Sequence, residues 1–223
     1  MSYDYSENIL VQESAGHLLE QELGWQVEFA YNTEVLGDNG TFGRKSYHDI
    51  LLVRYFQKAL RILNPWINDT QVEEAQKKFE DHMSTASLMQ INEEKYSMIR
   101  DGIPVTVKKA NGQTEEKKAM VIDFEHPYDE ERNHFLAIKE LKIHGDLYRR
   151  RTDIVGFVNG IPLLFVELKK NTVDVQDAYT NNYTDYLDTI PHLFYYNAFL
   201  MLSNGTEAKV GTLGSNYDFF HEW

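Results

Sequence analysis

The stretch from Asp153 to Lys169 constrains this chain more than any other. Between Asp153 and Glu167 lie thirteen residues, and Asn159 carries the only polar side chain among them. Two apolar runs, Ile154–Val158 and Ile161–Val166, are interrupted by Asn159-Gly160, a dipeptide that favours a tight reversal between strands. Continuously apolar runs of this length form strands covered on both faces, not the alternating strands of a one-sided sheet. The chain must therefore supply helices to cover both sides, which makes the class α/β.

The remaining sequence supplies that cover. Residues 7–23 have helical spacing, with Ile9, Leu10, Ala15, Leu18, Leu19 and Leu23 near one side and Gly24 as the stop. A strand is expected over Trp25–Ala30, then a loop over 32–43 carrying Gly37, Gly40 and Gly43. Ser46–Leu63 has helical spacing and ends at Asn64-Pro65. Residues 69–100 are charged and helix-favouring, which predicts two helices in an arm or lid with no chemistry of its own. Ile103–Val107 and Ala119–Phe124 are expected as strands about a turn at Ala110–Gln113, and Phe135–Ile143 as another. After a helix over 173–188, Leu193–Ser203 and Ala208–Leu213 give two more. With no repeat and no linker, 1–223 reads as one domain, with a helical insertion over about 66–101 and a core over about 103–213.

Charge and composition narrow the function. The net charge of −13 argues against unaided capture of nucleic acid, which needs a basic face. The basic runs are short: Lys108-Lys109, Lys117-Lys118, Arg149–Arg151 and Lys169-Lys170. The absence of cysteine excludes disulfides and thiolate metal sites and suits a reducing cytoplasm. No window approaches the roughly 18 apolar residues of a membrane span. The polar start is not a secretory signal, so a cytoplasmic protein with no membrane partner is expected. The eight histidines show no paired zinc spacing, and no G-x-x-x-x-G-K-[ST] phosphate loop occurs. The aromatic-rich end, Asp218–Trp223, would ordinarily be packed, so the chain is expected to be a fragment of a longer protein.

The chemistry gathers at the ends of the apolar hairpin. Glu167 and Lys169 are two apart and point to one side of a strand. Whether Asp153 joins them depends on the turn. A two-residue Asn159-Gly160 turn sets Asp153 opposite Val166, on the wrong face. A three-residue turn, Val158-Asn159-Gly160, or an equivalent bulge puts Asp153 within reach of Glu167, diagonally at roughly 7–8 Å between α-carbons. The three-residue turn or such a bulge is therefore expected. Two neighbouring carboxylates repel unless a cation lies between them. Mg²⁺ suits them, because it takes oxygen ligands and needs only one or two protein carboxylates beside a substrate phosphate. Lys169 would orient or deprotonate an attacking water, and the reaction would be phosphodiester hydrolysis. The bland alternative is a salt-bridged strand end, and on the residues alone both readings stand.

The run Arg150–Lys170, with its Asp153, Glu167 and Lys169, resembles the nuclease signature of type I restriction enzyme R subunits. Ile190–Asn197, Leu202–Ala208 with Gly211-Thr212, and Gly43-Arg44 with the apolar segment ending at Pro65 are similar to that family too. The resemblance implies a PD-(D/E)xK restriction-endonuclease-like fold, a mixed central sheet flanked by helices. It makes Asp153 and Glu167 metal ligands and Lys169 the catalytic lysine, with Thr152 where the motif name has proline. Such nucleases often carry Gln-x-x-x-Tyr on the next helix; here Asn182 and Tyr186 match by spacing, with Asn in place of Gln. Tyr179 and Tyr183 share that helical face and could equally pack on the sheet. Glu13 is the candidate for a further acidic ligand from the first helix, and Arg150 and Arg151 for phosphate contacts. The family also implies double-stranded DNA as substrate, methyltransferase (M) and specificity (S) subunits as partners, and an ATP-driven motor outside these residues. A non-catalytic assembly module on the same fold is the competing class.

Overall fold

The structure, a computed structural model, describes residues 6–223, with side chains from residue 11 onward. In chain order the elements are α1 (Ser6–Gln21), β1 (Gln26–Phe29), α2 (Val53–Leu63), α3 (Asp69–Glu80), α4 (Leu88–Asp101), β2 (Ile103–Lys108) and β3 (Thr114–Ala119). There follow β4 (Phe135–Lys139), β5 (Lys142–His144), β6 (Arg149–Arg151), β7 (Ile154–Val158) and β8 (Ile161–Leu168). A π-helical segment (Ala178–Tyr183) then runs into α5 (Thr184–Thr189), a 3-10 turn (Pro191–Phe194), β9 (Phe199–Ser203), β10 (Ala208–Gly211) and β11 (His221–Glu222). No helix among the described residues is long and apolar enough to cross a membrane.

Seven strands form a mixed sheet in the order β1-β4-β7-β8-β9-β10-β11, with β1–β4 and β8–β9 parallel and the other pairs antiparallel. The apolar hairpin lies at its centre, as its composition requires. Side chains alternate across the hairpin. Ile154, Leu164, Val166 and Leu168 pack on one face with Leu19 of α1. Val155, Phe157 and Phe165 pack on the other, with Phe56, Tyr183, Tyr186 and Phe194. Phe165 meets Phe194 and Tyr186 edge-on at centroid separations of 5.4 and 5.9 Å. Each such buried aromatic contributes roughly 1.5–3 kcal/mol from apolar burial.

Several expected boundaries move for local reasons. The helix expected from Ser46 begins at Val53, because the Asp49 carboxylate accepts from Lys45 N and Ser46 N and ties that stretch into a turn. The strand expected over Ala119–Phe124 lies earlier, at Thr114–Ala119, where six residues pair with β2 in a separate ribbon. Phe135–Ile143 is two strands in different sheets, broken at Glu140, whose φ is +53°. The last helix starts at Ala178, and the strand expected from Leu193 starts at Phe199 after the 3-10 turn. α3 and α4 are no detached arm: Val72, Ala75 and Phe79 of α3 and Ile99 of α4 are buried with Phe56 in the main core. In α1, Leu19 faces inward while Leu18 is exposed, as is Leu23 in the turn that follows; the Ile9 and Leu10 side chains lie outside those described. Gly24, at φ +70°, ends that helix as expected.

Candidate active site

The turn of the central hairpin is Asn159-Gly160, not three residues. Val158 pairs with Ile161, and both turn residues have positive φ, +52° and +81°. This is the mirror-image turn that suits strand twist. Gly160 has a second reason to lack a side chain, since a Cβ there would lie 2.5 Å from Leu52 O. The extra residue the site requires appears further along: Phe157 pairs with Pro162 but Gly156 with Leu164, so Leu163 is bulged out of the ladder. Ala198 N and Asn197 Nδ2 bind the Leu163 carbonyl, at 2.8 and 3.2 Å. Beyond the bulge Ile154 faces Val166, so the next step brings Asp153 level with Glu167. The pairing is direct, closer than the diagonal expected from a three-residue turn.

The two carboxyl groups are held differently. Asp153 Oδ1 accepts from Gln12 Nε2 at 2.7 Å, and Oδ2 accepts from Leu168 N at 2.7 Å. Glu167 is 3% exposed, and its Oε2 has no hydrogen-bond partner among the described residues. Burial raises both pKa values, Glu167's well above the usual carboxylate range. The neighbouring Asp153 raises Glu167 further, while Lys169 acts in the opposite direction on both. Lys169 Nζ donates to Asn182 Oδ1, and its backbone N donates to Ser203 O at 2.8 Å. The Tyr186 hydroxyl donates to Arg151 O at 3.0 Å. Asn182 lies in the π-helical segment and Tyr186 in α5, so the two elements bring one residue to Lys169 and the other to the strand before Asp153. Tyr179 and Tyr183 pack: their rings lie 5.4 Å apart, and Tyr179 OH donates to Ser215 O.

Glu13 does not join the pair. It forms an ion pair with Lys139 at 2.8 Å, and its side chain is 63% exposed. Its neighbour Gln12 occupies the inward position instead, one residue being about 100° around a helix. No sequence signal marked Gln12, since a glutamine is neither a ligand of Mg²⁺-type sites by habit nor apolar. Arg150 is held by Asp185 of α5 through a two-pronged contact, with Nη2 to Oδ1 at 2.8 Å. Arg151 pairs with Glu140 at 3.1 Å. Arg44 is 1% exposed, paired with Glu34 and donating to Lys142 O at 3.0 Å, so it supports the segment leading to the site.

A hard cation fits this arrangement. The donors are all oxygen, the carboxylates face each other, and among the described residues a buried carboxylate oxygen has its acceptor capacity unused. Among the described residues no group of three or more His, Asp or Glu side chains gathers as a metal cage. A cavity of about 1050 Å³ lies elsewhere, lined by His48, Arg54, Lys58 and His192 among others and by none of Asp153, Glu167 and Lys169. There His48 and His192 stack at 4.2 Å, and burial presses the His192 pKa down to about 4, so it is neutral at physiological pH.

Comparison with known proteins gives one consistent result. A family model described as type I restriction enzyme R protein N terminus matches residues 4–219. The HindI endonuclease subunit, a type I restriction enzyme protein from Haemophilus influenzae, is 32% identical over 207 residues. That match covers 91% of this chain and 19% of the relative. A protein of Methanocaldococcus jannaschii, provisionally named as the type I restriction enzyme MjaIXP endonuclease subunit, is 30% identical over 185 residues, covering 81% of this chain and 17% of its own length. The chain thus spans about a fifth of the curated relatives it matches.

Proposed function

Because the chain belongs to the family of the type I restriction enzyme R protein N terminus, we propose that it is the DNA-cutting domain of such a subunit. In this reading the sheet and its helices form a PD-(D/E)xK nuclease fold, and the reaction is Mg²⁺-dependent hydrolysis of phosphodiester bonds in double-stranded DNA. The observation that carries it is the facing pair Asp153 and Glu167, with Lys169 alongside and a buried Glu167 oxygen that has no partner among the described residues.

Asp153 and Glu167 would hold the ion. Bound there, Mg²⁺ would lower the pKa of a coordinated water and offset charge on the phosphate and the leaving oxygen. Gln12 and the Leu168 amide fix the Asp153 carboxylate in place, which is the role of outer partners at a metal centre. Lys169, steadied by Asn182, orients the attacking water and opposes the negative charge that grows on phosphorus. Asn182 thus serves where the related pattern has glutamine, and Tyr186 fixes the backbone two residues before Asp153. The ATP-driven motor and the M and S subunits deliver DNA to this site, which is consistent with the chain's net charge of −13.

Calorimetric titration of Mn²⁺ into the chain and into its Glu167→Ala variant, both with a short DNA duplex present, tests this. Uptake by the parent that disappears in the variant is the expected result. Absence of uptake by both overturns the metal-dependent reading and leaves the alternative, a non-catalytic docking module.

A further inference from the structure

The β5–β6 ribbon is a concentration of positive charge in an acidic protein. Residues 142–151 hold Lys142, Arg149, Arg150 and Arg151 against a single acid, Asp146. The ribbon pairs Lys142 with Arg151, two cations face to face, and Arg149 with His144, whose pKa burial and the neighbouring cations hold below the usual imidazole range. Directly opposed cations destabilise a strand pair, by an amount of the order that other cross-strand pairs contribute. Here the repulsion is built into the register. Two tyrosine rings and Glu140 partly relieve it. Lys142 Nζ lies 4.9 Å from the Tyr31 ring centre and 5.9 Å from that of Tyr47. Arg151 Cζ lies 4.6 Å from the Tyr31 ring, and Glu140 pairs with Arg151.

The ribbon is also fixed at its base. Arg44, buried, donates to Lys142 O; Tyr47 O accepts from His144 N at 3.0 Å; Arg150 grips Asp185. Gly145 packs so closely on α5 that a Cβ would lie 2.1 Å from Thr189 O. Strand alternation then does the sorting: Arg150 turns in to Asp185, while Arg149 and Arg151 remain exposed. At the tip Leu147 is 87% exposed and Tyr148 is 49% exposed. Arg151 stands two residues before Asp153, roughly 7 Å of extended chain from the carboxylate pair.

We infer that the β5–β6 ribbon is a grip for the backbone of double-stranded DNA, with Lys142, Arg149 and Arg151 contacting phosphates and Leu147 and Tyr148 pressing on the groove edge. The inference rests on the nuclease reading for its substrate, and adds to it which surface holds that substrate. An anion between the opposed cations relieves their repulsion, and a rigid mount removes the ordering cost of binding. Apolar and aromatic tips beside phosphate-binding cations are suited to groove contact. Arg150, expected from the sequence to touch phosphate, is instead a positioning residue that holds the ribbon through Asp185.

Fluorescence anisotropy of a short labelled duplex, measured against the chain across a salt series, tests the grip. The comparison is between the parent, Arg149→Glu and the double variant Arg149→Ala/Arg151→Ala, each checked for an unchanged circular dichroism spectrum. The double variant is expected to bind several-fold to tenfold more weakly at low salt. Its log–log salt slope should fall by about 1 for each phosphate contact removed. Mn²⁺ uptake by these variants should equal the parent's. Equal affinity and slope in the parent and the double variant overturns the grip, as does a parent that binds no duplex at low salt. Loss of DNA binding in the double variant with no Mn²⁺ uptake by the parent keeps the grip and removes the nuclease reading, so the two failures are distinguishable.

Discussion

At the turn end of the β7–β8 hairpin, Asn159 is 2% exposed and all its side-chain hydrogen-bonding groups are used; at the open end, Glu167 is 3% exposed and one carboxylate oxygen has no partner among the described residues. Asn159 Nδ2 donates to Val121 O and Asn133 Oδ1, and its Oδ1 accepts from His134 N. Asn133 in turn receives Asp123 N and donates to Asp123 O. The same pair of strands therefore buries polar groups in two ways. One end is a closed network, which stabilises the fold and fixes the reversal. The other sets two acids face to face with spare acceptor capacity, an arrangement that costs stability until a cation completes it. The difference separates what holds the hairpin from what uses it.

The largest effect that tests this contrast is at the closed end. Asn159→Ala should lower unfolding free energy by about 3 kcal/mol in urea melts, since it strands Val121 O and His134 N and takes one of two donors from Asn133 Oδ1. A loss below about 1 kcal/mol would mean the network contributes little. Next, saturating Mn²⁺ should stabilise the parent by about 2.7 kcal/mol at a hundred times the dissociation constant, read as a rise in melting temperature. Glu167→Ala should show no such rise, and a rise of equal size there would place the ion elsewhere. Third, Gln12→Ala should weaken Mn²⁺ binding about tenfold, or about 1.4 kcal/mol, while Glu13→Ala leaves it unchanged. Equal effects of the two variants would dissolve the distinction between these neighbours. The smallest effect sharpens the comparison most: in EDTA, Glu167→Gln should stabilise the chain by about 1 kcal/mol, because it removes repulsion with Asp153. A destabilised variant would show that Glu167 serves the fold.

The central hairpin was legible from composition, because thirteen residues with one polar side chain leave few alternatives to two buried strands. Glu167 and Lys169 followed from alternation, and the need for one irregularity between Asp153 and Glu167 followed from counting. Where that irregularity falls was not legible. The Asn159-Gly160 pair satisfies the tight turn by itself, and the surplus is taken up at Leu163, where Asn197 and Ala198 from a distant segment bind the freed carbonyl. Gln12 was hidden for a similar reason: of the apolar residues read as one side of α1, Leu19 turns inward and Leu18 outward, so the pattern does not say which neighbour faces the sheet. The break at Glu140 and the late start of α2 depend on a positive φ and an Asp49 side-chain turn, which apolar periodicity does not record.

Leu163 gives the hairpin a margin that is lopsided. Five residues separate Asp153 from the turn on β7, and six separate the turn from Glu167 on β8. Losing one residue from β8, or gaining one in β7, makes the two arms equal, and the acids still meet once the bulge straightens. Gaining one in β8, or losing one from β7, doubles the mismatch and sends Glu167 past its partner. Length changes on the two arms are therefore not interchangeable, and drift in this segment can be absorbed in one direction only.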